Sequence, residues 1–376
     1  MPGPVVITGG GTGGHVFPMQ AIAEALTGRG LSSQDLRYVG SRRGQEAVLL
    51  ATSGVPLTLL PGRGLRRSWQ AKDLLVNLGA SLGLVVGVLV ALRLVRSWRP
   101  SVVVSVGGYA AFAVSFAAAC WRVPLVLVDF EATPGAVHRY LGRFAVKRCC
   151  AFPTPGDNVV VTGAPIRESI ESVDRSKSAR DEAKIHVTPP IDRDRSVVVV
   201  MTGSLGSERV NAAVQELAEL WALRRDRTVV HVTGRRDYLE YLVLKPASDG
   251  LDYRVVAFAD MAELWAVADV AICRAGAVTV AELTDLAIPS ILVPLPGAPH
   301  DHQTKNAEHV ARAGGAVVLR DRDCTGDALS SALETIMTTS TLEAMSKGAA
   351  TLARRGAAKA IADVILDVIL DVRGSK

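Results

Sequence analysis

Aromatic residues are scarce, 5% of a 376-residue chain, which argues against base stacking on single-stranded nucleic acid as its main business. Cysteine is rare as well: Cys120, Cys149, Cys150, Cys273 and Cys324 form neither a C-x-x-C pair nor an even set. Reduced core thiols of a cytosolic protein are the better reading of them. The N-terminus carries no charged stretch followed by an apolar one, so no secretory signal is expected and the protein is expected to stay inside the cell. Short repeats and low-complexity tracts are absent.

What is present is the composition of a folded soluble protein, 49% hydrophobic and 21% charged, with 34 glycines that suit many tight strand–helix turns. The length exceeds one ordinary core and fits two domains. Charge is segregated: residues 1–165 carry 16 Lys/Arg against 7 Asp/Glu, the remainder 26 against 30. A basic half joined to a mildly acidic half points to an anionic partner for the first half only, either nucleic acid or an anionic membrane surface. No nucleic-acid recognition motif accompanies the bias, so nucleic acid is disfavoured.

Short β-branched runs alternate with helical patterns along the chain. Val5–Thr8, Leu36–Val39, Val102–Val104, Leu125–Val128 and Val159–Val161 are predicted strands of a first parallel sheet. Val197–Met201, Thr228–His231, Arg254–Ala257, Val270–Ile272, Ser290–Val293 and Ala316–Leu319 are predicted strands of a second. Continuous Val/Ile/Leu without polar alternation is what parallel strands covered on both faces require. The fold class is therefore α/β, doubly wound twice over. Residues 1–163 are read as the first domain and 164–195 as a linker, with Ser172–Arg195, which holds Pro189-Pro190, a charged surface segment. Residues 196–345 are read as the second domain, and 346–376 as helices packing back toward the first.

One stretch, Leu74–Leu92, has no charged residue and is long enough to raise a membrane span. It also contains Asn77, Ser81 and three glycines, and it lies inside a βα series whose strands would fall on opposite sides of a bilayer. A helix with one buried face fits better, either as plain core or with its other face touching lipid.

The loops carry the chemistry. Gly9-Gly10-Gly11-Thr12-Gly13-Gly14-His15 follows the first strand, with a helix predicted over Pro18–Arg29. Glycines let backbone approach a ligand, and a helix start offers N–H groups. The stretch satisfies G-x-G-x-x-G, but Gly40 and Ser41, not a carboxylate, end the second strand. A dinucleotide oxidoreductase is disfavoured. His15 is either a hydrogen-bonded structural histidine or a functional one, and its place at the mouth of an α/β crevice favours function. Thr202-Gly203-Ser204-Leu205-Gly206 forms a second glycine turn after a strand, a backbone cradle for phosphate. Arg274-Ala275-Gly276 leads into a helix expected to begin near Ala277, with Glu282 in its first turns. Glu282 either complements the helix dipole or accepts hydrogen bonds from sugar hydroxyls.

The ordered set G-G-G-T-G-G-H-V-F-P (Gly9 to Pro18), G-G-Y (Gly107 to Tyr109), T-G-A-P-I-R (Thr162 to Arg167), C-R-A-G-A-x-T-V-A-E (Cys273 to Glu282) and D-H-Q-T-K-N-A (Asp301 to Ala307) resembles the MurG family of peptidoglycan N-acetylglucosaminyltransferases. The match runs from residue 5 to about 320. The resemblance implies a GT-B fold, two Rossmann-like domains facing across a cleft that holds UDP-GlcNAc. It also implies inverting transfer of GlcNAc to lipid I, the undecaprenyl-pyrophosphoryl-MurNAc-pentapeptide, to give lipid II. Thr12, Gly13 and Gly14 would face the donor, with Arg167 and Ser204 near its diphosphate. Ala277, Val278, Thr279, Val280, Ala281 and Glu282 would hold the diphosphate and the GlcNAc hydroxyls. Glu282 and Gln303 would meet the sugar, and Phe258 or Ala259 would read the uracil. His15 would be the general base, a role its unperturbed pKa suits.

This chain departs from that family mildly at Leu205, which replaces the usual Gln of G-G-S-Q-G, and more at two other places. Where it carries H-E-Q-N, this chain has Val128-Asp129-Phe130-Glu131, so Glu131 stands in a substrate-binding position. Where it carries N-R, this chain has His138-Arg139. No cofactor and no metal is expected: Asp192-Arg193-Asp194 and Asp321-Arg322-Asp323 mimic D-x-D but are read as solvated charge. The expected partners are UDP-GlcNAc, lipid I, the anionic inner membrane surface and other cell-wall synthesis proteins. Arg66, Arg67, Lys72, Arg93, Arg96, Arg99, Arg139, Arg143, Lys147 and Arg148 are read as flanking the apolar stretch or a later helix, giving a peripheral protein of the cytoplasmic membrane face. The competing readings are a related GT-B enzyme with another lipid or metabolite acceptor, and a non-catalytic UDP-sugar-binding protein.

Overall fold

The computed structural model describes residues 3–11, 13–61, 71–203, 205–244 and 250–374, with backbone alone at 71–82, 109, 373 and 374. Thr12, Ser204, Arg66 and Arg67 fall outside the described residues, as does the side chain of Lys72. Two compact units emerge, Met1–Glu168 with Gly356–Lys376, and Ser169–Arg355.

The first unit is built on a seven-stranded sheet: β1 (Val5–Thr8), β2 (Leu36–Ser41), β3 (Leu57–Leu60), β4 (Val102–Ser105), β5 (Leu125–Asp129), β6 (Lys147–Cys150) and β7 (Val159–Val161). Their spatial order is β3-β2-β1-β4-β5-β6-β7, and every pairing is parallel. The valine-rich runs form central strands because helices cover both faces; β1 and β4 are buried at every position. The sequence reading missed β3 and β6. Lys147-Arg148 gives β6 a polar start, yet its backbone pairs with β5 and β7. Lys147 and Arg148 thus stand on a strand, not beside a surface helix.

The helices that matter here are α1 (Gly13–Gly28), α2 (Ala71–Trp98), α3 (Tyr109–Cys120) and α4 (Ala136–Leu141). α1 starts five residues before the expected Pro18. Proline is tolerated near a helix start, although Pro18 cannot donate to the Gly14 carbonyl. His15 consequently sits inside the first turn of α1. α2 contains the uncharged stretch and inserts Ala91 and Val95 into a core with Val6, Val103, Ala113 and Leu125. Among the described residues no helix is long and apolar enough to cross a membrane.

The second unit carries six parallel strands, β8 (Ser196–Met201), β9 (Arg227–Val232), β10 (Asp252–Val256), β11 (Val270–Cys273), β12 (Ser290–Leu292) and β13 (Ala316–Val318). They are ordered β10-β9-β8-β11-β12-β13. All six were legible as valine- and isoleucine-rich runs. The key helices are α5 (Glu208–Leu220), α6 (Ala277–Asp285) and α7 (His302–Arg312). Residues 172–195, read as surface, include a helix over Lys177–His186. Its Lys184 is buried, with Nζ donating to the carbonyls of Arg193 and Arg195 at 3.0 and 2.8 Å. The last helix, α8 (Ala357–Gly374), belongs to the first unit and packs on α1, with Arg29 and Asp363 paired at 2.7 Å.

Candidate active site

In each sheet the strand order reverses at one place, between β1 and β4 and again between β8 and β11. Ligands of open α/β sheets bind outside the carboxyl ends of strands at such a switch point. The described residues of the loops after these four strands are Gly9–Gly11, Val106–Gly108, Thr202–Gly203 with Leu205–Ser207, and Arg274–Gly276. Topology thus gathers the glycine turns singled out in the sequence into two half-sites, one per unit.

In the first half-site, Gly13 is buried, Gly14 is exposed and His15 is half-buried. The His15 ring meets Phe130 edge-on, with centroids 5.7 Å apart. The two glycine loops touch: a Cβ on Gly108 would fall 2.4 Å from the Gly10 carbonyl oxygen, and its φ is +82°. Only glycine fits there. Arg167 lies with its guanidinium 4.4 Å from the Phe17 ring centroid, one helical turn beyond Gly13. Glu131 is half-buried in the loop after β5.

A residue the sequence reading overlooked supports this loop. Glu46 is fully buried, and its Oε1 accepts from Gly11 N at 3.0 Å and Ser41 N at 2.9 Å. Gly11's amide is therefore engaged by protein and is not an open phosphate donor. Removing the carboxylate strands the buried Ser41 N–H, at a cost of about 1–3 kcal/mol, and returns the part-exposed Gly11 N–H to water. Glu46→Ala is expected to destabilise the protein by about 1–3 kcal/mol, read by urea unfolding. A loss under about 0.5 kcal/mol, within the range of an ordinary surface change, would contradict this role.

In the second half-site, α6 begins at Ala277 behind Gly276, which offers no side chain to cap the first amides. Those amides belong to Ala277, Val278 and Thr279, and the positive end of the helix dipole lies with them. Val280 is buried and Ala281 half-buried on the same helix. Glu282, 4% exposed, accepts from the Trp265 indole N–H at 2.9 Å. Gln303 stands in the first turn of α7, and its Oε1 accepts from Leu295 N at 2.9 Å, which fixes the orientation of the side-chain amide. Asn306 donates to the Ala275 carbonyl at 3.1 Å, tying α7 to the turn before α6. Phe258 follows β10 and is half-exposed under the Arg235 guanidinium, 5.5 Å from its centroid.

Two further devices were not foreseen. Arg274 bonds the carbonyls of Val293 and Pro294, the Ser207 hydroxyl and Asp321, the last at 2.6 Å. It locks the loop after β8 to that after β11, and Asp321 is an ion-pair partner instead of solvated charge. Behind the loop after β8, a buried chain runs through Tyr253, His231 and Asn211 to Asp237, at 2.7, 2.9 and 2.9 Å. Burial pushes the His231 pKa down to about 3, so the ring is neutral. Asn211 Oδ1 can only accept, hence His231 Nε2 carries the proton and Nδ1 accepts from Tyr253. Asp237 ends this chain against Gly206, where a Cβ would come within 2.6 Å of its carboxylate. The Gly206 amide itself donates to the Gly203 carbonyl at 3.0 Å, so it closes the turn and is not open to a phosphate.

Two doubly wound parallel sheets, each with glycine turns at its switch point, are the architecture of the GT-B fold. Models of the glycosyltransferase family 28 N-terminal and C-terminal domains match residues 5–149 and 197–362. The UDP-N-acetylglucosamine–N-acetylmuramyl-(pentapeptide) pyrophosphoryl-undecaprenol N-acetylglucosamine transferase of Anaeromyxobacter sp. (strain Fw109-5) is 37% identical over 95% of this chain and 91% of its own. The enzyme of the same name from Moorella thermoacetica is 36% identical, over 95% of this chain and 96% of its own. The crystal structure of Acinetobacter baumannii MurG superposes with a TM-score of 0.74 at 26% identity, covering 97% of this chain and 100% of that one. A Neisseria meningitidis UDP-GlcNAc 2-epimerase shares the fold alone, at a TM-score of 0.64 and 12% identity over 96% of this chain and 99% of its own. The chain belongs to glycosyltransferase family 28.

Proposed function

We infer that the protein transfers GlcNAc from UDP-GlcNAc to a hydroxyl of lipid I, making lipid II in peptidoglycan synthesis. The observation that carries this reading is the 37% identity spread over 95% of the chain, with the motif loops at both switch points. The donor diphosphate rests on the amides of Ala277, Val278 and Thr279 at the start of α6, where developing charge on departing UDP is met by fixed dipoles. Ser204 and Arg167 are assigned further contacts to it, and Thr12, Gly13 and Gly14 are assigned to face the donor. Glu282 and the Gln303 amide bind the hexose, and Phe258 borders the uracil. His15 takes the proton from the acceptor hydroxyl as the bond to the anomeric carbon forms and UDP leaves. Purified protein given labelled UDP-GlcNAc and lipid I should release UDP and label the lipid. UDP release with a different acceptor and none with lipid I would favour a related enzyme, a reading motivated by Val128–Glu131.

The acceptor is a lipid, and the first unit offers a face for it. Val85, Val86, Leu89 and Val90 are exposed along α2, at up to 61% for Leu89. Arg93, Arg96 and Arg99 follow toward its end, and with Trp121 and Arg122 they line a cavity of about 1010 Å³. Arg96 stacks 5.0 Å from the Trp121 centroid. Each arginine near an anionic leaflet adds about 1 kcal/mol, and each half-buried aliphatic roughly as much. The protein docks reversibly on the cytoplasmic leaflet through this face. Val85→Asp/Leu89→Asp is expected to weaken co-sedimentation with phosphatidylglycerol vesicles by about 10-fold or more. Unchanged sedimentation would remove this face from membrane contact.

A further inference from the structure

The two departures noted in the sequence, Asp129 and His138, touch each other. His138 Nδ1 lies 2.6 Å from Asp129 Oδ1, and Arg148 donates to Asp129 Oδ2 at 3.1 Å. On the other side of the ring, His138 Nε2 lies 2.9 Å from Ser105 Oγ. All three residues of the central triad are buried: Ser105 0%, Asp129 6% and His138 4% exposed. Burial alone would raise the Asp129 pKa, but the hydrogen bonds and charges of His138 and Arg148 outweigh it and hold the carboxyl below the usual range. An ionised carboxylate only accepts, which puts a ring proton on Nδ1.

Ser–His–Asp in this order invites a nucleophile reading. Ser105 rules it out, because it ends a central strand with no exposed surface, and no substrate can reach it. What the chain does instead is fasten elements together. His138 from α4 binds the ends of β4 and β5 at once, and Arg148 adds β6.

Those strand ends carry the walls around His15. Gly107 is two residues beyond Ser105, and Phe130 is the residue after Asp129. Phe130 packs edge-on to the His15 ring. The point a Gly107 Cβ would occupy lies 3.6 Å from His138 Cε1 and 3.7 Å from both His15 Cδ2 and Nε2. The two imidazoles therefore flank one glycine, whose φ of +88° no other residue adopts cheaply.

We propose that Arg148, Asp129, His138 and Ser105 are positioning residues for His15, fixing the Gly107 turn and Phe130 against its ring. This rests on His15 being the base, as argued above. A paired change explains why both positions differ from the family's motifs: Asp129 is one methylene shorter than Glu, and His138 is longer than Asn. Displacing a catalytic group by a fraction of an ångström to 1 Å costs up to about 100-fold in rate.

The test uses the full-length enzyme with lipid I. Asp129→Glu and His138→Asn, each alone, should lower kcat by about 10- to 100-fold with the KM for UDP-GlcNAc unchanged. The double variant D129E/H138N should recover most of the loss. His138→Gln should also shift the His15 ring signals in ¹H–¹³C NMR spectra. The proposal is overturned if the single variants keep full kcat, or if the double variant is no better than the product of the singles. It is overturned too if kcat falls only in step with folded fraction while the His15 signals stay put. His15→Ala run alongside separates the two ideas. Full turnover there removes the base assignment, whereas full turnover in H138Q beside an inactive H15A removes only the positioning role.

Discussion

His15→Ala is expected to lower kcat for GlcNAc transfer by about 10²- to 10⁴-fold, the usual contribution of a positioned general base, with little change in UDP affinity. The expectation follows from the placement of the ring. It stands in the first turn of α1 at the carboxyl end of β1, beside the strand-order reversal, half-buried between Phe130 and Gly107. An imidazole nitrogen held at that place can accept a hydroxyl proton. The competing role is structural. In that case the alanine variant would lose melting temperature but keep its turnover per folded molecule. Steady-state kinetics at saturating lipid I, normalised to folded enzyme, discriminates between the two.

Glu282→Gln is expected to raise the KM for UDP-GlcNAc by about 10- to 100-fold while leaving inhibition by UDP within about two-fold. A charge-assisted hydrogen bond is worth about 1.5–3 kcal/mol, which converts to that range. Glutamine keeps an acceptor for the Trp265 indole, whose bond to Glu282 Oε2 is 2.9 Å, so the fold of α6 is preserved. UDP lacks the hexose and should not sense the change. A parallel loss of UDP affinity would mean that Glu282 acts by holding the start of α6, and not by binding sugar.

Much of this architecture was written in the chain because parallel strands covered on both faces need unbroken Val/Ile/Leu. Val197–Met201 and Val102–Val104 show this as short β-branched runs followed by glycine turns. Lys147–Cys150 escaped because a strand edge needs only backbone partners, and β6 finds them on both sides despite its Lys-Arg start. The glycine turns were visible since backbone that closes on backbone leaves no alternative to glycine, as at Gly108.

The props behind the turns were not visible. Glu46 lies 35 residues from the Gly11 amide it accepts from, with no spacing rule to join them. Asp129 and His138 could be seen as unusual residues, but their contact depends on α4 folding back over β5. Arg274 was noted only as part of a motif, although its four partners lock two loops. Side-chain struts of this kind are set by tertiary geometry, which local pattern does not encode.

The seat of the donor can be tested directly by a crystal structure of the protein soaked with UDP-GlcNAc. Diphosphate density against the amides of Ala277, Val278 and Thr279, with the hexose within hydrogen-bond reach of Glu282, is the expected result. A diphosphate bound away from the start of α6, or a hexose out of reach of Glu282, would contradict it.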